Sequence, residues 1–265
     1  AGSSLTPCNL FAFASPMSGR VFIGTSGWTY SNWRGTFYPQ DLANNRLLDF
    51  YSREFLTTEV NYSFYRLPRP TTYAGWAGQV PEGFLFAVKA NRMITHTKRL
   101  ANVQEPWQAF VTNAEALGSH LGPILLQFPP SFRRQANRLA EFLERTRKGI
   151  PDDSRLKLVF EFRHESWFTE EIYRLLERYE AALCIADSPR YPRKEVLTTN
   201  CLYLRFHGRR RLFESGYSEA ELEEEARKVE RYLREGLDVF LYFNNTARGH
   251  AIDNARTLKR LLGAE

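Results

Sequence analysis

Eight short apolar runs, most of them followed by a longer amphipathic stretch, constrain this chain more tightly than any other feature. They are VFIGTSG (21–27), TTEVNYSF (57–64), FLFAVKA (84–90), PILLQF (123–128), LKLVFEF (156–162), ALCIADS (182–188), CLYLRFH (201–207) and DVFLYFN (238–244). Helical spacing lies between them at 47–56, 107–121, 135–148, 170–179 and 219–235, and a last helix is predicted over 251–262. Strand and helix in alternation point to βα units and a parallel sheet. Eight such units fit an α/β fold, a single (β/α)8 barrel of the TIM type. The connection 189–200, PRYPRKEVLTTN, is short and carries two prolines, so no regular helix is predicted between strands six and seven.

Alternation within the runs says where a site would lie. Successive side chains of a strand point to opposite faces, and in a barrel one face packs on helices while the other fills the lumen. Strand five sets Leu158, Phe160 and Phe162 against Lys157, Val159, Glu161 and Arg163; strand seven sets Leu202, Leu204 and Phe206 against Tyr203, Arg205 and His207. The lumen residues nearest the carboxyl ends are then Ser26, Asn61, Lys89, Gln127, Arg163, Asp187, His207 and Asn244, all of them polar. One layer deeper come Gly24, Glu59, Ala87, Leu125, Glu161, Ile185, Arg205 and Tyr242. A lumen can be filled by branched aliphatics alone, and an unpaired buried charge costs several kcal/mol. The polar ring therefore marks the carboxyl-end mouth as a site, with His207 nearer solvent than Arg205.

No repeat or composition shift divides the 265 residues, so residues 17–265 are expected to form one domain. Residues 1–16 lack periodicity and precede Met17; a loose arm or cloning remnant is expected there. Cys8, Cys184 and Cys201 are an odd set without paired spacing, which suits reduced thiols in a cytoplasmic protein. No apolar stretch reaches the roughly 18 residues a membrane span needs. The formal charge of +6 favours anionic partners.

GTSGWTYSNWRGTFYP (24–39), EVNYSFYRLP (59–68), VKANRMITH (88–96), LGPILLQFPPSF (121–132), EFRHESW (161–167), YLRFHG (203–208) and YFNNTARGHAIDNA (242–255) resemble, in this order, the YecE-like proteins, the family of domain of unknown function 72. The resemblance implies a TIM-type barrel and supplies no established activity. Family members usually carry an aspartate after the paired asparagines, where this chain has Thr246.

The residues themselves suggest more chemistry. Lys89, Arg163 and Arg205, with Gln127, Asn61, Asn244 and Asn245, are expected to bind a small anion such as phosphate, since guanidinium forks suit phosphate and carboxylate. Trp28 and Tyr30 after strand one, with Phe64 and Tyr65 after strand two, suit stacking on a sugar or base. Glu161, His207, Asp187 and Glu59 are the candidates for acid-base catalysis, which makes a hydrolase or an isomerase or lyase acting on a phosphorylated or acidic sugar-like substrate the leading expectation. Three alternatives stay open. An internal ion network among Glu59, Glu161, Asp187 and the bases would satisfy the same charges without a ligand, the barrel could bind an anion without catalysis, and the basic rim of Arg209, Arg210 and Arg211 with Arg92, Lys98 and Arg99 would suit nucleic acid and a nuclease-like barrel. Glu59, Glu161, Asp187 and His207, with His164 at the rim, are ligand types for a divalent ion. Because Lys89, Arg163 and Arg205 would repel a cation, no metal or other cofactor is expected.

Overall fold

Strands form wherever β-branched and aromatic residues alternate, and in the computed structural model they close on one another. The structure describes residues 19–148 and 156–264; the expectation for residues 1–16 and Cys8 lies outside them. The strands are β1 (Val21–Thr25), β2 (Thr57–Val60), β3 (Leu85–Lys89), β4 (Leu121–Gln127), β5 (Leu158–Glu161), β6 (Ala182–Asp187), β7 (Cys201–Phe206) and β8 (Asp238–Phe243). All are parallel to their neighbours, in the order β1-β8-β7-β6-β5-β4-β3-β2. A bridge between Ser26 and Glu59 brings β1 back to β2, and the Thr58 hydroxyl donates to the Thr25 carbonyl at 3.0 Å. The α-helices around the ring are α1 (Leu47–Ser52), α2 (Tyr62–Tyr65), α3 (Pro70–Ala77), α4 (Gln104–Ala114), α5 (Ala136–Lys148), α6 (Glu170–Arg178), α7 (Glu219–Arg234) and α8 (His250–Leu261). This is a TIM-type barrel, and no helix joins β6 to β7.

Gly24 makes the closure possible. A Cβ there would lie 2.1 Å from the backbone oxygen of Thr57 on the facing strand. Gly24→Ala is therefore expected to force β1 and β2 apart at a cost of about 1–3 kcal/mol, read as a lower urea midpoint. An unchanged midpoint would contradict the close approach.

Apolar side chains divide into an outer shell under the helices and a lumen plug of Phe22, Ala87, Leu125, Val159, Ala182, Cys184, Cys201, Tyr203, Phe240 and Tyr242. Cys184 and Cys201 are free and buried within that plug. Below it, Asp238 binds Arg20 at 2.8 Å and Lys157 at 3.3 Å. The lumen is thus packed from its amino end upward, and its buried charges gather near the carboxyl end.

Three expectations need correction. The run 57–64 is not one strand: β2 stops at Val60, Asn61 turns into helical backbone, and the Ser63 hydroxyl donates to the Lys89 carbonyl at 2.6 Å, so 62–65 form a helical turn. The predicted helix 107–121 ends at Ala114 and continues as a 3-10 segment that Gly118 breaks at φ 57°. Strand six is out of phase with its expected parity. Ala182 and Cys184 face the lumen while Leu183 and Ile185 join the outer shell, which carries Asp187 outward as well.

Candidate functional site

Arg205 is the hub of the lumen. It is fully buried, and its guanidinium grips Glu59 by two bonds, Nε to Oε2 at 2.9 Å and Nη2 to Oε1 at 2.8 Å. Its third nitrogen, Nη1, donates to Glu161 Oε2 at 2.5 Å. The Ser26 and Tyr203 hydroxyls complete the shell of Glu59 at 2.8 and 2.7 Å, and Arg163 Nε donates to Glu161 Oε1 at 2.7 Å. Burial alone would push the Glu161 carboxyl up, but Arg205 and Arg163 hold it well below the usual carboxylate range. The same carboxylates hold the Arg205 guanidinium above its ordinary value against the opposing effect of burial. Both glutamates are therefore engaged as counter-ions.

That pairing leaves a remainder. Two guanidiniums balance two carboxylates, and Lys89 stands beside them without a counter-charge. Among the described residues its Nζ has no hydrogen-bond or ion-pair partner; it lies 4.2 Å from the centre of the Phe64 ring. Burial pushes the amine down to about 7, with the Arg205 charge adding to the effect and Glu59 partly offsetting it. Its residue is half-buried, as are Asn61, Arg163 and Asn244, each at or just past the carboxyl end of its strand. The outer face of the Arg163 guanidinium lies 4.2 Å from the Tyr191 ring centre.

His207 faces the lumen, but not at the rim. Gly208, at φ +91°, turns the chain so that Phe213 packs on the imidazole with ring centres 5.5 Å apart, and the side chain is closed to solvent. Asn244 Nδ2 lies 3.1 Å from its Nδ1 and Arg205 Nη1 lies 3.4 Å from its Nε2. Burial, reinforced by the Arg205 charge, pushes the imidazole well below its ordinary value and keeps it neutral. The expectation that His207 lies nearer solvent than Arg205 is thereby corrected, since both are closed off. Gln127 is also closed over, its amide donating to the Phe128 carbonyl at 2.7 Å.

Asp187 and Asn245 leave the site. Asp187 lies outside the barrel, with Arg193 at 3.2 Å and Arg209 at 3.5 Å, and both arginines also bind the buried Glu225 of α7, at 2.7 and 3.0 Å. This network pins the extended connection between β6 and β7 where a helix is missing, and it ties Arg209, the first of the three rim arginines, to acidic partners. Asn245 is buried and donates to the Ser215 carbonyl at 3.0 Å and to Asn254 Oδ1 at 2.9 Å, which joins the loop after β7 to α8.

Beside the mouth, Trp28, Tyr30, Tyr62, Tyr65 and Trp76 wall a groove of about 380 Å³, with the amides of Asn44, Asn45, Asn61 and Gln79 in the same lining. Trp76 meets Trp28 edge-on at 5.4 Å, and the Tyr30 hydroxyl donates to the Ser26 carbonyl at 2.5 Å, anchoring one wall to the lumen rim. Asn61 Oδ1 is buried without a partner among the described residues. Trp28, Tyr30 and Asn61 were legible in the sequence. Trp76 was not, because α3 begins on Pro70 at its first helical turn, and TTYAGWAGQV has too weak an apolar face to read as a helix. His96, also passed over, meets the Phe64 ring at 4.9 Å; burial, then the Lys89 charge, holds it neutral by pushing it down to about 4.

No cluster of three or more histidine, cysteine or acidic side chains able to hold a metal occurs among the described residues, and no helix there is long and apolar enough to cross a membrane. A family model described as "Protein of unknown function DUF72" matches residues 22–265. The UPF0759 protein YunF of Bacillus subtilis is 28% identical, over 92% of this chain and 95% of that protein. A crystal structure of a DUF72 family protein (TM1631) from Thermotoga maritima superposes with a TM-score of 0.81 at 30% identity, covering 92% of this chain and 99% of the other. One of a DUF72 family protein (EF0366) from Enterococcus faecalis does so at 0.75 and 22% identity, covering 93% and 99%, and supports the fold alone.

Proposed function

The chain belongs to the DUF72 family, and from that premise, which supplies a barrel but no reaction, we propose an enzyme that takes a small anionic, sugar-like substrate at the carboxyl-end mouth. The observation that carries this reading is the unbalanced charge. Glu59 and Glu161 are matched by Arg205 and Arg163, so Lys89 adds a net positive charge at an opening bordered by Asn61, Asn244 and the outer edge of Arg163. Low-dielectric walls strengthen the pull of such a charge on an anion. The neighbouring groove supplies aromatic faces and amides, the complement of a hydroxylated ring. Proton transfer falls to Lys89, because Glu161 is held ionised and cannot serve as an acid near neutral pH, and His207 is sealed beneath Phe213 and held neutral. A hydrolase, an isomerase or a lyase fits these groups.

Sulfate, whose own charge is constant above pH 3, tests the reading by calorimetry. Lys89 attracts it only when protonated, so affinity is expected to be full at pH 6 and to fall as pH rises through about 7. Absence of sulfate binding at pH 6, or binding that does not change up to pH 9, would overturn it.

A further inference from the structure

Resting on the anion-site reading above, we propose that Lys89 is a nucleophile that captures a carbonyl carbon of the substrate as an imine, so that the substrate class is an anionic aldehyde or ketone. The placement is specific. Lys89 is the last residue of β3, half-buried at the lumen mouth, with Nζ resting on the Phe64 ring. A lysine serving as a counter-ion would be bonded to a carboxylate, yet both lumen glutamates are engaged by arginines and hydroxyls and neither bonds to it. A lysine serving as a surface charge would not be folded onto an aromatic ring beside two guanidiniums. Desolvation and neighbouring cations are the two means by which proteins hold a lysine amine unprotonated and nucleophilic, and both act here, bringing the amine to about 7.

The surroundings match the steps. The amine lone pair attacks the carbonyl carbon, the C–N bond forms, and the C=O π pair moves to oxygen, which takes up a proton. The carbinolamine hydroxyl then leaves as water with a second proton as the C=N bond forms; the nitrogen gives up one of its two protons and keeps the other as the protonated iminium, so one net proton is drawn from solvent. No oxidant or reductant is needed. The neutral imidazole of His96, packed on the same Phe64 ring as Lys89, is available to relay those protons, and the Nη groups of Arg163, whose Nε alone binds Glu161, remain to hold the anionic end.

The test uses glycolaldehyde phosphate as the anionic carbonyl and glycolaldehyde as its neutral counterpart. Each is incubated with the protein and sodium cyanoborohydride at pH 7, and the reduced adducts are mapped by peptide mass spectrometry. The phosphorylated aldehyde is expected to label Lys89 at least about tenfold faster than the exposed Lys194. That preference should shrink with the neutral aldehyde and be suppressed by sulfate. Lys89→Arg should still bind sulfate while the adduct at this position disappears. If sulfate binds but Lys89 is labelled no faster than Lys194, the imine is wrong and the anion site stands. If neither sulfate binding nor preferential labelling is found, the anion site itself falls.

Discussion

Arg205→Leu is expected to lower the unfolding free energy by about 3–5 kcal/mol, because it strands the buried Glu59 without a cationic partner and leaves Glu161 with Arg163 alone. The cost arises from the glutamates, not from the lost guanidinium. Adding Glu59→Gln and Glu161→Gln to the same variant should therefore recover a large part of the stability, as replacing a whole buried ion group costs far less than breaking it. Urea unfolding of the single and triple variants separates the cases, and a single variant within about 1 kcal/mol of the parent would contradict the hub assigned to Arg205. The acid limb of stability has the same origin. Glu161 is held well below the usual carboxylate range, so its contribution is complete above its ordinary value of about 4.3 and is lost as pH falls below it. Glu161→Gln should make stability less dependent on pH in that acid window, and an unchanged acid slope would count against the pairing.

Lys89→Met should weaken sulfate binding at pH 6 by at least about 100-fold, a loss of about 2.7 kcal/mol at 1.36 kcal/mol per tenfold. The same change should leave the urea midpoint unchanged or raise it, since it removes a desolvated cation that lacks a counter-charge. The opposite signs distinguish a ligand-binding lysine from a structural one. A variant that loses stability and keeps its sulfate affinity would show that Lys89 supports the lumen and does not serve the mouth.

Much of this barrel was legible because most strands have one apolar face and one mixed face. β5, β7 and β8 sort their residues cleanly, so parity alone places Glu161, Arg163, Arg205, His207 and Asn244 on the lumen side. β6 did not, for a physical reason. Ala182, Cys184 and Ala186 are as apolar as Leu183 and Ile185, so nothing in the strand says which set faces inward, and a polar Asp187 at its carboxyl end reads as a lumen group. The polarity instead serves an ion network beneath α7, with partners in a connection that no periodicity reveals. Depth was equally hidden. Parity puts His207 above Arg205 but cannot show that Phe213, from the next loop, seals it. The pairing of Glu59 with Arg205 joins β2 to β7 across the lumen, a contact between residues 146 positions apart that sequence spacing cannot supply.

The proposed anion site rests on Lys89, a half-buried amine of lowered proton affinity with no counter-ion of its own. The most direct measurement is the pH dependence of its acetylation by acetic anhydride, followed peptide by peptide with mass spectrometry, without and with saturating sulfate. Half-reactivity is expected near pH 7 in the free protein, moving upward when sulfate neutralises the site. Half-reactivity near the ordinary lysine value of about 10.4, unmoved by sulfate, would contradict it.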